Sequence, residues 1–217
     1  MSRRAIASLT VLLAWLALAP PAGAHRLDEL LQATRVSIDA DRISVEIDLT
    51  PGASLADHLF ATVDSDHDGE VSDQEARAYA RRVLASVTLA VDGRPAPVRL
   101  VDRRFPTLRE MRLGLGTIHV SARAAVPPGA GLRHLSYVNG FLPESSVYLA
   151  NTLLPSDESI HIEQQRRDFR QRGLAVEYRV GADRTSARIA WSLTLLAMIG
   201  MLVMARRGGA SEVRERP

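Results

Sequence analysis

From Arg35 to Leu49 the chain alternates apolar and polar residues with a period of two. Val36 and Ile38 lead into a turn at Asp39-Ala40-Asp41-Arg42. Ile43, Val45, Ile47 and Leu49 then fall on one side, with Ser44, Glu46 and Asp48 on the other. Such alternation predicts half-buried strands, and Pro51-Gly52 ends the second of them. The pattern returns at Val87, Leu89 and Val91 before an Asp92-Gly93 turn, and at Val98 and Leu100. It returns again at Ile118, Val120 and Ala122, and at Leu174, Val176, Tyr178 and Val180. Shorter runs at 132–138, 146–154 and 159–163 fit further strands. Seven or eight short strands over about 150 residues, punctuated by Gly and Pro, predict a mainly β domain of β-sandwich type.

Between the second and third strands the period changes. Residues 54–84 read as helix, loop, helix, with Ser54 placed to cap the first helix and Leu55, Leu59 and Val63 sharing a face. In the second helix Ala76, Tyr79, Ala80 and Val83 recur at helical spacing. The β domain is therefore expected to span residues 25–187 with a helical insertion at 54–84.

Two unbroken apolar runs flank this domain. Residues 1–24 carry Arg3 and Arg4, an apolar stretch from Ala5 to Ala19, Pro20-Pro21 and then Ala22-Gly23-Ala24. That order predicts a signal peptide cleaved before His25, an uncleaved anchor being the alternative. The run Ile189–Ala205 holds no charge and is bounded by Arg188 and Arg206-Arg207. At 1.5 Å per residue it covers roughly 25 Å, at the short end of a transmembrane helix. Residues 188–207 are expected to cross the membrane once and 208–217 to form a cytoplasmic tail, because Arg206, Arg207, Arg214 and Arg216 obey the positive-inside rule. The resulting topology is type I in a bacterial inner membrane, with the main domain in the periplasm. A C-terminal sorting tail that is later removed is the rival reading.

Composition narrows the function classes. The chain has 27 basic and 25 acidic residues; without the terminal Arg residues and Glu212 and Glu215, 21 basic and 23 acidic remain, which argues against a nucleic-acid-binding domain. Every basic residue is Arg and none is Lys. There is no Cys, so disulfides, thiolate metal sites and a Cys nucleophile are excluded together.

The stretch DSDHDGEVSDQE, Asp64 to Glu75, carries the chemistry. A twelve-residue EF-hand loop surrounds Ca²⁺ with hard oxygen ligands from positions 1, 3, 5, 7, 9 and 12. Asp64, Asp66 and Asp68 occupy positions 1, 3 and 5, and Gly69 takes the sharp turn at position 6. Glu70 offers its backbone carbonyl at position 7, Ser72 a short side chain at position 9, and Glu75 the longer carboxylate at position 12. Val71 at position 8 is placed to pin the loop to a neighbouring strand. Ser72 and Glu75 also make an S-x-x-E capping box, which unites the helix start with the ligand set. No second such loop occurs in the chain.

With these residues in view, HRLDELLQATRVSI, EIDLTPG, the loop followed by EARAYARRVL, REMRLGLGTIHVSARA and VYLANTLLPSDESI resemble a family of bacterial exported, membrane-anchored EF-hand-containing proteins. That family is similar to the extracytoplasmic region ahead of some accessory permeases of the HupE/UreJ type. The resemblance implies an exported calcium-binding domain. One C-terminal helix is expected in place of a multi-span permease, so nickel or cobalt transport is not expected to carry over.

Other features are weaker. His25, His58, His67, His119, His134 and His161 form no H-x-x-x-H or H-E-x-x-H pair. His25, as the first residue after cleavage, has an amine and imidazole suited to copper, against the plain reading of an exposed terminus. The run Glu163 to Asp168 reads as a solvated turn or edge. The resulting expectation is a non-enzymatic, membrane-anchored Ca²⁺ module that binds a protein partner or acts as a scaffold. The alternatives are an accessory for transition-metal handling and an enzyme whose site lies hidden. If the type I topology holds, protease added to intact spheroplasts removes the β domain and leaves a C-terminal tag protected. A tag digested under those conditions contradicts the orientation, and a tag missing from the mature protein favours the sorting tail.

Overall fold

A computed structural model describes residues 28–181. The expected signal peptide, His25, the C-terminal span and the tail lie outside the described residues. Among the described residues no helix is long and apolar enough to cross a membrane.

Ten strands and three α-helices are described. The strands are β1 (Leu30–Ile38), β2 (Arg42–Pro51), β3 (Val87–Val91), β4 (Arg94–Pro95), β5 (Arg99–Arg104), β6 (Ile118–Ala125), β7 (Gly131–Asn139), β8 (Ser146–Thr152), β9 (Ile160–Arg167) and β10 (Gly173–Val180). Two five-stranded sheets result, ordered β5-β6-β2-β1-β8 and β4-β3-β7-β10-β9. All pairings are antiparallel except β1 with β8. Ile43, Val45, Ile47, Leu49, Val120 and Ala122 from the first sheet and Leu89, Leu135, Tyr137, Val176 and Tyr178 from the second join one buried cluster. The mainly β expectation holds, and the helical insertion stands where the period changed, between β2 and β3.

β1 begins at Leu30, earlier than its apolar alternation indicates. Its inward positions read Leu30, Gln32, Thr34, Val36 and Ile38, so two polar side chains hide the first half of the strand. Both are satisfied inside. Gln32 Nε2 donates to the Phe141 carbonyl (2.6 Å) and to Ser146 Oγ (2.7 Å). Asn139 Nδ2 donates to Gln32 Oε1 (2.8 Å), and Thr34 Oγ1 lies 3.0 Å from Tyr137 Oη. These bonds join β1 in one sheet to β7 in the other.

The Asp92-Gly93 hairpin forms as expected, with φ of 52° and 74° at its two central residues. Asp92 also accepts from His134 N (2.8 Å) and Arg133 Nε (2.9 Å), which ties the turn to β7 and holds its carboxyl below the ordinary range. Residues 163–167 belong to β9, an edge strand, as the solvated-edge reading anticipated.

Two details of the helices differ from expectation. Ser54 does not cap the first helix: Ala53–Leu55 form a 3₁₀ turn, and helix α1 (Ala56–Val63) starts after Leu55 with no side-chain cap. The tight turn uses local backbone bonds, such as Leu55 N to Gly52 O at 2.9 Å, in place of a hydroxyl cap. Beyond helix α2 (Asp73–Ala85), a short helix α3 (Leu108–Arg112) also forms. A capping box between Thr107 and Glu110 starts it, and Met111 is fully buried.

α3 packs against α1, helped by the Arg112–Asp57 ion pair at 2.6 Å. The loop after it returns over the helix so closely that a Cβ at Gly116 would stand 2.7 Å from Met111 N. Gly129, by contrast, has only a flexible arginine tip at 3.8 Å. Gly116→Ala is therefore expected to cost about 1–3 kcal/mol in urea denaturation, while Gly129→Ala stays within about 0.5 kcal/mol. Equal midpoints for the two variants would contradict the close approach of Gly116 to α3.

Candidate metal centre

The loop Asp64–Glu75 is built from its two helix ends. α1 buries Ala56, Leu59, Phe60 and Val63 against the core and finishes as Asp64 N donates to Phe60 O at 2.8 Å. α2 buries Ala76, Tyr79, Ala80, Val83 and Leu84, and Ser72 caps it. Ser72 Oγ accepts from Glu75 N (3.3 Å), while Glu75 Oε2 accepts from Ser72 N (3.0 Å) and Ser72 Oγ (2.8 Å). The capping box expected from S-x-x-E is therefore present.

The other oxygen of Glu75 reaches across to the start of the loop. Oε1 accepts from Ser65 N (2.5 Å), Ser65 Oγ (2.9 Å) and Asp66 N (3.3 Å). Glu75 is buried, yet the hydrogen bonds from Ser72 and then Ser65 stabilise its charged form and pull its pKa down to about 2. It clasps the first turn of the loop to the first turn of α2. Ser65, at a loop position with no expected ligand role, is the residue that pattern reading missed.

Asp64, Asp66 and Asp68 are brought together. Each offers a carboxylate oxygen within 4.8 Å of the others. Backbone donors hold them in place. Gly69 N donates to Asp64 Oδ2 (3.0 Å), Asp68 N to Asp66 Oδ1 (3.3 Å) and Glu70 N to Asp68 Oδ1 (2.8 Å). The chain turns this sharply through left-handed conformations at His67 (φ 61°) and Gly69 (φ 88°). A Cβ at Gly69 would touch nothing, so glycine is favoured there by backbone conformation and not by space.

Asp64 is 4% exposed, and its Oδ1 is buried with no hydrogen-bond partner. A buried acceptor left unpaired costs about 1–3 kcal/mol, and two further carboxylates close by add like-charge repulsion. A cation among the three relieves both costs. The donors are all hard oxygens, which suits Ca²⁺ or Mg²⁺ over the softer metals that take imidazole or thiolate. Among the described residues no histidine joins the group. His119 instead pairs with Asp48 (2.6 Å), which also meets Arg35 (2.7 Å) on the outer side of the first sheet.

Glu75 does not stand with the aspartate trio: both its oxygens are engaged by backbone and hydroxyl donors. The Ser72 hydroxyl is likewise engaged with Glu75, and the Glu70 backbone N–H serves Asp68. The carboxylates of Asp64, Asp66 and Asp68 thus converge, and Glu75 with the Ser72 hydroxyl frames the loop beside them. Near the end of the loop, Asp73 binds Arg103 of β5 and Arg77 of its own helix, fixing the start of α2 against the sheet. Val71 packs half-buried against the core. Compared with known proteins, the chain matches no family model and no curated protein.

Proposed function

We propose that this protein is a calcium-binding, membrane-anchored extracytoplasmic module, non-enzymatic, with a β-sandwich-like domain whose EF-hand loop holds a structural ion. The observation that carries the reading is the buried, unpartnered Oδ1 of Asp64 beside the carboxylates of Asp66 and Asp68. Export and anchoring rest on the sequence of residues 1–24 and 188–207. The resemblance to exported, membrane-anchored EF-hand-containing proteins supports the same reading. Asp64, Asp66 and Asp68 supply side-chain oxygens, Glu70 its carbonyl and Ser72 its hydroxyl, directly or through water. Glu75 completes the set by exchanging its Ser65 and Asp66 donors for the ion.

A lone loop lacks the partner loop that helps pre-organise paired sites, so its affinity belongs with extracellular modules at about 10⁻⁵–10⁻³ M. External calcium does not pulse as cytosolic calcium does, which makes a clamp on the helical insertion a better use of the ion than a signal. The domain then presents a surface to a protein partner in the cell envelope, and no nucleic acid is involved.

Titration calorimetry on the purified protein is expected to give one Ca²⁺ per chain. Asp64→Asn keeps the shape and removes the charge, and should weaken binding by tenfold or more; Glu75→Gln should do the same. Equal affinity in wild type and Asp64→Asn would remove the loop from consideration.

Calcium at about ten times its Kd adds roughly 1.4 kcal/mol, which raises the melting temperature by a few degrees. A structural clamp does this without increasing the binding of a dye that reports apolar surface. A calcium-dependent rise in dye binding, or a partner captured only with calcium, would assign the loop to a switch.

A further inference from the structure

The two outer strands of the first sheet are finished differently. At β8 the outer edge is closed: Gln171 O accepts from Ala150 N (3.1 Å), Gln165 Oε1 accepts from Thr152 N (3.0 Å), and Arg167 Nε donates to Ala150 O (2.8 Å). β5, at the opposite side of the sheet, has β6 on one edge and no strand on the other. Among the described residues, no hydrogen bond beyond the β6 ladder reaches its backbone. An uncovered edge of this kind is a template for one more strand. A groove of about 520 Å³ lies there, between α2 and β5. Arg77, Arg81 and Leu84 of α2 line one side, and Val98, Arg99 and Leu100 line the other.

The groove is basic and no carboxylate lines it. Arg77 is held by Asp73 at 3.0 Å, but among the described residues Arg81 and Arg99 have neither a hydrogen bond nor an ion pair. Like charges are also set side by side. Arg77 and Arg81 are spaced i, i+4 on one exposed helix face, and Arg99 stands directly opposite Arg123 in the β5–β6 ladder. Each arrangement is mildly destabilising in the free protein, and an anion in the groove relieves both. Leu84 is buried and Val98 and Leu100 are half-buried, so the floor between the arginines is apolar. The same arginines oppose pairing of β5 with β5 of a second copy, since each edge would bring its own positive charge. A register shift between Leu100 and Asp102 interrupts the edge, which confines main-chain pairing to residues 98–100 beside the groove.

We infer that this groove takes an extended acidic segment of a partner protein, laid along the open edge of β5 as an added strand. Its carboxylates meet the unpaired guanidinium groups of Arg81 and Arg99, and its alternate side chains rest on Leu84 and Leu100. Main-chain pairing supplies part of the affinity, and charge selects the partner. The inference rests on the reading of the domain as a protein-binding module and gives that partner its chemistry; it does not depend on the calcium loop.

The test is calorimetric titration of the purified full-length protein with a short capped peptide that alternates Glu with Val. Its controls are the Lys–Val counterpart, inorganic phosphate, and two forms of the acidic peptide N-methylated at either the Glu or the Val residues. The acidic peptide is expected to bind with a Kd of about 10–100 μM at low salt and more weakly as salt is raised. The Lys peptide and phosphate should bind at least about tenfold more weakly, and so should the N-methylated form that loses its donors toward β5. Arg99→Gln removes a guanidinium and its repulsion with Arg123, so it should cut affinity about fivefold while thermal stability is unchanged or raised. Arg81→Gln, on the exposed face of α2, should lower affinity similarly. The proposal is overturned if the acidic peptide does not bind, as when a second copy already covers β5, or if phosphate binds as tightly, which would make this a small-anion site. It is also overturned if both N-methylated forms, or both folded variants, match the parent pair. Calcium titration of the same preparation reads the loop separately. An envelope protein captured equally by wild type and both variants would keep the protein-binding reading and remove this surface from it.

Discussion

The two sheets are held to each other by a buried polar network as well as by apolar packing, and the remaining architecture hangs from it. Gln32, fully buried on β1, spends its amide nitrogen on Phe141 O and Ser146 Oγ and its oxygen on Asn139. Asn139 Oδ1 in turn accepts from Phe141 N at 3.0 Å, and Tyr148 donates to the Phe141 carbonyl at 2.7 Å. Apolar contacts tolerate sliding, whereas these bonds fix one registry, because a slipped arrangement leaves several buried donors and acceptors unpaired. The network also fixes the start of the 141–145 segment, which carries Phe141 against Tyr79 with ring centroids 5.8 Å apart. The sheets thereby set the position of α2.

Inside the helical insertion a second polar device operates, this time with charge. Glu75 binds both ends of a twelve-residue loop with five hydrogen-bond donors, so α1 and α2 meet at a defined separation. Beside it, three aspartates are drawn together by backbone N–H groups despite their mutual repulsion. Attraction to local donors outweighs repulsion here because the donors are adjacent in sequence and cost little chain entropy to place. The same loop thus contains one carboxylate that is fully satisfied and one, Asp64, that is half satisfied.

α2 connects the loop to the rest. Its first turn bears Glu75, its second Tyr79, and Tyr79 packs edge-on against both Phe105 and Phe141. Asp73 at the same helix start binds Arg103 on β5. A single helix therefore touches the loop, the first sheet and an apolar cavity beside α1 and the 141–145 segment.

Local pattern alone determined a good deal. Strict alternation located β2, β6 and β10, the Asp92-Gly93 turn, the change of period at the insertion, and the S-x-x-E cap at Ser72, since each depends on residues within a few positions of one another. The loop spacing likewise placed Asp64, Asp66 and Asp68 together. What sequence order left open needed partners distant along the chain. The first half of β1 was hidden because Gln32 and Thr34 are inward residues, made tolerable only by Asn139, Phe141 and Tyr137 more than a hundred residues away. The engagement of Glu75 with Ser65, and the absence of any cap at Ser54, followed from backbone geometry that spacing does not encode. The groove between α2 and β5 is the clearest case. Nothing in the order of residues links Arg81 with Arg99; only the packing of α2 along β5 brings both to one groove, because proximity across elements is a property of the assembled surfaces and not of the stretch that carries each residue.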